Sequence, residues 1–309
     1  MSKATAWRAE LPLVGAGGEK VDLWRTIVSH GIAALPPARV DEDARVLEMT
    51  LPVQGARPHT VTVTEGDGRA VVTALGAAPS ARKAGKVIAG IEHVLRLDED
   101  LSDFYALVAD DPDLAWATEG AGRMIRSPTV FEDVVKTICT TNCAWSATER
   151  MVAALVEHLG EPAAGAPIDG PYGRAFPTPE RMATAGEDFY RDVVRAGYRG
   201  PYLISLATSV AEGSIDLEEL STLGHEELSD DEVVARLLAL PGVGPYAAAH
   251  VMMLVGRYSR LILDSWTRPT YARLNGGRAV KDATIERRFR RYGRYAGLAF
   301  WLYLTRDWA

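Results

Sequence analysis

The sequence predicts a mainly α-helical chain of 309 residues with a smaller α+β part at its N-terminal end. Three observations carry that expectation. Up to about residue 100, apolar runs alternate as in strands and are broken by Gly66-Asp67-Gly68. Beyond it, apolar residues recur at helical spacing, as at 131, 134, 135 and 138. Helix-start signals then appear, with Ser or Thr three residues before Glu. The division expected is 1–100 and 101–309.

Taken in order, "DLWRTIVSHGIAAL" (22–35) reads as a short amphipathic helix. "VLEMTLPV" (46–53) alternates as a half-buried strand, and "HTVTVTEGDGRAVVTAL" (59–75) reads as two strands joined at the Gly-Asp-Gly turn. Thr129 with Glu132, Ser146 with Glu149 and Ser229 with Glu232 each mark a helix start. Cys139 and Cys143, four apart, share a face if that segment is helical, and read as two small buried side chains. "GEPAAGAPIDGPYGRAFP" (160–177) is rich in Gly and Pro and reads as a long loop. The helix after Ser229 runs into "LPGVG", and "PYAAAHVMMLVG" begins another, giving a helical hairpin over about 230–256.

Composition narrows the function classes. At 47% hydrophobic and 24% charged, the chain is an ordinary globular one. "MSKATAWRAELP" holds no apolar core of signal-peptide length, and no apolar run reaches the roughly 18–20 residues of a membrane span. A cytoplasmic protein with no membrane partner is expected, nucleoid-associated in a bacterium. Two cysteines do not supply the four ligands of a structural zinc or iron–sulfur site. The net charge of −7 is unevenly spread. Arg257–Arg294 holds ten arginines and one lysine against Asp264, Asp282 and Glu286, a net +8 that leaves −15 elsewhere. One face is therefore expected to attract phosphates, although a solvated arginine-rich helix fits the same residues. Lys136 reads as a surface residue.

Gly242 and Gly244 lack Cβ, so the backbone can turn tightly and present N–H groups at a helix N-terminus, which binds anions. Pro245 fits the first helical position. A plain helix–helix turn would use the same glycines. The longer word "LPGVGPYAAA" resembles the helix-hairpin-helix element of the DNA glycosylase superfamily that includes endonuclease III-type enzymes. In that family an essential aspartate follows the first glycine by a little over twenty residues, and Asp264 follows Gly242 by 22. "FEDVVKTICTTN" (131–142), "GYRGPY" (197–202) and "YAGLAFWLYL" (295–304) are similar to the 8-oxoguanine glycosylase branch. The resemblance covers roughly 100–309, and implies an antiparallel-sheet domain before it.

What the resemblance implies for the site follows residue by residue. Asp264 is the catalytic carboxylate, stabilising the oxocarbenium-like sugar as a damaged base departs and orienting water. As a residue it also suits a helix N-cap. Gly242, Val243, Gly244, Tyr246 and Arg268 hold DNA phosphate. Bifunctional members carry a Schiff-base lysine where this chain has Tyr246, which a phenol cannot replace. A monofunctional enzyme with water as nucleophile is expected. The base pocket falls to Tyr246, His250, Trp145 and Phe300, with Trp266 and Trp301 as further aromatic walls. Phe300 stands where oxoguanine enzymes place a base-reading glutamine, which turns the expectation toward an alkylated purine. Asn142 and Tyr198 match the residues that fill the vacated stack and wedge beside it. No cofactor is implied, although hairpin carbonyls suit a monovalent cation. The partner is double-stranded DNA with a damaged base, bound by a monomer. A glycosylase with strand-nicking activity on oxidised purines, and a non-catalytic damage-binding protein, are the alternatives.

Overall fold

The computed structural model describes residues 7–76 and 78–308, so the first six residues of the expected first domain lie outside it. Five antiparallel strands, β1 (Arg8–Pro12), β2 (Arg39–Asp41), β3 (Val46–Val53), β4 (Ala56–Gly66) and β5 (Arg69–Leu75), form one sheet in the order β1-β5-β4-β3-β2. Asp67 and Gly68 both take positive φ, 51° and 70°, between the paired Gly66 and Arg69. That is the two-residue turn whose twist suits a hairpin. Leu47, Met49, Leu51, Val61 and Val63 pack one face of the sheet against Val87, Ile91 and Val94 of helix α2 (Ala81–Val94). The expected 22–35 helix is two pieces: α1 (Leu23–Ile27), capped by Asp22, and a 3₁₀ turn at Gly31–Ala34.

Eleven further α-helices follow among the described residues: α3 (Ser102–Val108), α4 (Val130–Thr140), α5 (Trp145–Leu159), α6 (Pro179–Ala183), α7 (Arg199–Ala211), α8 (Glu219–Thr222), α9 (Asp230–Leu238), α10 (Pro245–Leu254), α11 (Thr267–Leu274), α12 (Asp282–Phe289) and α13 (Ala296–Thr305). The fold is mainly helical with a small antiparallel sheet, and none of these helices is long and apolar enough to cross a membrane. Thr129 caps α4, and Ser229 forms a complete capping box with Glu232. Ser146 does not cap: α5 already starts at Trp145, with Ala144 at the cap position. After Asn142, at φ 46°, turns the chain, helix resumes two residues too early for Ser146. The same turn puts Cys143 beyond the helix and exposed, while Cys139 is buried.

Helix α10 is apolar on every side because it is buried on every side. Val251, Met252 and Ala248 face a core built from α4, α5, α7 and α9, and Ala249 and Met253 face a second core with α3, α12 and α13. The sheet part is fastened to this helical body by buried charge. Arg96 donates to the carbonyls of Met124, at 2.7 Å, and Leu254, and Arg123 donates to Glu99 O at 2.8 Å and pairs with Glu19. Lys136 is not on the surface: it is buried and paired with Glu132 at 2.6 Å, one helical turn away.

Candidate active site

The turn between α9 and α10 closes with Val243 N–H donating to Leu240 O at 3.2 Å. Val243 is thereby removed from the expected anion-binding set, since its amide is used and its side chain is buried in the core. The amides of Gly242, Gly244 and Tyr246 donate to no acceptor among the described residues, and Pro245 at the first position has none to donate. These orphan donors sit at the positive end of a ten-residue helix. Gly242 takes φ +81°, and a Cβ there would meet the Tyr202 ring at 2.9 Å. Its glycine is demanded by the fold. Gly244 is different: its φ is −100° and a Cβ would meet open space. Nothing within the protein requires glycine there.

Asp264 lies across an open cleft from this turn. The cleft, roughly 800 Å³, is lined by Gly242, Gly244, Tyr246, Asp264 and Arg268, with Asn142 and Tyr198 at its edge. Asp264 Oδ1 accepts the amides of Trp266 at 2.8 Å and Thr267 at 2.6 Å, at the start of α11. Its own amide donates to Thr267 Oγ1 at 2.8 Å. These bonds fix the carboxylate two residues before the cap position at Trp266, while Oδ2 carries no hydrogen bond from the described residues. Tyr246 holds its phenol against Thr140 Oγ1 at 3.3 Å. Burial raises its pKa, the Thr140 bond lowers it, and the negative Asp264 raises it further.

Arg268 reaches the cleft paired to Asp282 at 2.8 Å. Several other arginines of the basic stretch are likewise paired: Arg257 with Asp230, Arg260 with Asp231, Arg288 with Asp113, Arg291 with Asp111 and Arg294 with Asp103. The +8 read along the sequence is therefore no bare cationic face, because acidic residues distant in sequence fold against it. Arg273, Arg278, Lys281, Arg287 and Arg290 are exposed and without an ion pair among the described residues.

Asn142 and Tyr198 meet at the cleft mouth, the Asn142 amide donating to the Tyr198 phenol at 3.3 Å. That bond is the main cause of a lowered Tyr198 pKa. Both residues are exposed. Arg199, which the sequence reading did not single out, lies over the Tyr198 ring at 4.5 Å and donates to Thr141 O, bracing the pair.

Of the expected pocket residues, Tyr246 lines this cleft and His250, Trp145 and Phe300 do not. Phe300 is fully buried, its ring 5.1 Å from Phe289 and 6.2 Å from Tyr271. It is Trp301, one residue on, that turns toward Trp266 at 5.6 Å and His250 at 6.5 Å. Trp145 lies outside the Asp264 cleft, exposed, its ring 3.4 Å from where a Gly31 Cβ would stand. His250 is buried behind Tyr246, with ring centroids 5.9 Å apart. Among the described residues no group of three or more His, Cys, Asp or Glu is arranged to hold a metal ion.

No family model matches the chain. It is 26% identical over 257 residues to the N-glycosylase/DNA lyase OGG1 of Arabidopsis thaliana, covering 78% of this chain and 67% of that one. A putative DNA-3-methyladenine glycosylase, YfjP of Bacillus subtilis, is 27% identical over 110 residues, 36% of this chain and 33% of that one. Among solved structures, the 3-methyladenine DNA-glycosylase of Archaeoglobus fulgidus superposes with a TM-score of 0.71 at 21% identity, covering 98% of this chain and 99% of the other. The 8-oxoguanine glycosylase/lyase of Clostridium acetobutylicum, bound to double-stranded DNA with cytosine opposite 8-oxoG, gives 0.69 at 20% identity over 93% and 92%. In fold over nearly its whole length, and in sequence over 78% of it, this chain is similar to DNA glycosylases of the 8-oxoguanine and 3-methyladenine types.

Proposed function

We propose that the chain is a monofunctional DNA glycosylase, which hydrolyses the N-glycosidic bond of an alkylated purine in duplex DNA. The observation that carries this reading is one cleft holding Asp264, the unpaired amides of Gly242 and Gly244, and the Asn142–Tyr198 pair. The amides grip a backbone phosphate beside the lesion. Asn142 and Tyr198 take the place of the extruded nucleotide. Asp264, fixed through Oδ1, faces the sugar with Oδ2, stabilises positive charge as the base leaves, and orients the attacking water.

Tyr246 supports the monofunctional reading. It occupies the cleft wall where an imine-forming amine would be needed, and the one lysine on the neighbouring α4, Lys136, is buried in an ion pair. Borohydride treatment during reaction with damaged duplex is therefore expected to trap no protein–DNA adduct. The aromatic cluster of Trp266, Trp301 and Trp308, two residues and further beyond Asp264, favours an electron-poor alkylated ring by stacking.

Chromatography of bases released from duplexes with alkylated, oxidised or deaminated bases tests the reading. Release of an alkylated purine by the wild type, with loss of roughly 100-fold or more in Asp264→Asn at unchanged duplex affinity, is the expected outcome. Wild-type protein that binds damaged duplex yet releases nothing from the whole panel would instead make the chain a damage-binding protein.

A further inference from the structure

Three ring nitrogens are buried without partners where the sheet part meets α10. His30 is 4% exposed and His250 6%. Their rings stand edge to face with centroids 6.0 Å apart. Neither His250 Nδ1 nor His250 Nε2 has a hydrogen bond, and His30 Nδ1 has none. Each such group forfeits roughly 1–3 kcal/mol of solvation, so three in one place are a poor way to build a core.

The tautomer of His30 is fixed. Its Nε2 lies 2.6 Å from Ile125 O, a pure acceptor, so Nε2 carries the proton and Nδ1 presents a bare lone pair. The ring is held there from both sides, by Ile125 N–H donating to Ser29 Oγ at 3.0 Å and by Trp301 Nε1–H donating to Ser29 O at 2.8 Å. A second cleft, of roughly 550 Å³, opens on His30 and Gly31 between Trp24 and Trp308. Trp308 in turn lies 5.3 Å from Trp266, the residue two beyond Asp264. Trp308 thus lines the His30 cleft, Trp266 adjoins Ser265 of the Asp264 cleft, and Trp301 packs on both of these rings and on the His250 ring.

We propose that His30 and His250 form the polar reading edge of the base-receiving pocket, His30 Nδ1 accepting an N–H of a purine stacked among Trp266, Trp301 and Trp308. This rests on the reading of the Asp264 cleft as a base-excision site. Aromatic faces hold any flat ring, whereas a fixed acceptor selects rings with an N–H at the matching edge, such as an amino-bearing alkylated purine. Burial, above all, holds the His30 imidazole down at about 3 and His250 at about 4. Both rings stay neutral, so neither repels a cationic base.

Two measurements test this. ¹⁵N-histidine spectra of the wild-type chain, titrated with free 3-methyladenine, are expected to move the His30 Nδ1 resonance, and caffeine, a purine with no N–H, is expected to leave it in place. Single-turnover release of 3-methyladenine from methylated duplex is expected to fall roughly 10- to 100-fold in His30→Asn and in His250→Phe, with duplex affinity kept. No response of His30 Nδ1 to 3-methyladenine, or an equal response to caffeine, would overturn the proposal, as would wild-type release rates in both variants. Loss of release only in proportion to lost folding or duplex binding would also overturn it, leaving the pair as a structural water site. A wild type that shifts with 3-methyladenine but releases no base would keep this pocket and remove the glycosylase reading.

Discussion

Asp264 and Thr267 exchange hydrogen bonds: the Asp264 amide donates to the Thr267 hydroxyl at 2.8 Å, and the Thr267 amide donates to the Asp264 carboxylate at 2.6 Å. Thr267 is fully buried, so the carboxylate is aimed by the start of α11 and not by solvent. Thr267→Val is expected to cost about 1 kcal/mol of stability and to slow base release about 10-fold or more without weakening duplex binding. Thr267→Ser restores both. Single-turnover kinetics and thermal unfolding read the two effects separately.

The two hairpin glycines are expected to respond differently to alanine. At Gly242, φ +81° and the Tyr202 ring at 2.9 Å oppose a methyl group, so Gly242→Ala lowers stability by about 1–2 kcal/mol. At Gly244 the space is open, so Gly244→Ala changes stability by less than about 1 kcal/mol. Its methyl meets the incoming phosphate instead, and duplex affinity falls about 10-fold. Equal affinity in Gly244→Ala and wild type would show that no backbone phosphate approaches this turn.

Arg268 is expected to bind phosphate only in competition with Asp282, which holds it at 2.8 Å. Asp282→Asn therefore tightens duplex binding, and Arg268→Gln weakens it and lowers the salt slope by about 0.9. Both side chains are nearly half exposed, so neither change should move stability by more than about 1 kcal/mol. Affinities across a salt series decide the matter.

Acid is expected to destabilise the fold from pH 6.5 downward. Burial is the main cause that holds His30, His93 and His250 at about 3, 4 and 4, below their ordinary 6.5. The unfolded chain takes up three protons below pH 6.5 that the folded chain refuses. Asp133 acts in the other sense. Burial pushes it from 3.8 to about 7, so the folded chain keeps a proton there that the unfolded chain releases. The histidines outnumber it, so stability falls between pH 6.5 and 4, by roughly 1.4 kcal/mol per pH unit for each net proton. A melting temperature that rose on going from pH 7 to pH 5 would contradict this balance.

Features set by local chemistry were legible in the sequence. The Gly66-Asp67-Gly68 turn needs positive φ, the Ser229 box needs only its own Glu232, and Asp264 is placed by its distance from Gly242. Phase was lost where a helix is apolar all round. In α13 every residue is buried, so periodicity gives no preference between Phe300 and Trp301, and the packing of Tyr271 and Phe289 decides. Long-range partners were invisible too. His30 owes its tautomer to Ile125, 95 residues later, and the basic stretch meets carboxylates as distant as Asp103, 191 residues from Arg294.

Arg96 donates to Leu254 O at the last turn of the hairpin's second helix, and Arg123 closes on Glu19 from the other side of the same seam. Cutting the chain near residue 100 would strand those carbonyls and a guanidinium in an apolar wall. Neither half is then an independent part to be borrowed or exchanged, and the helical hairpin inherits its rigidity from the sheet part.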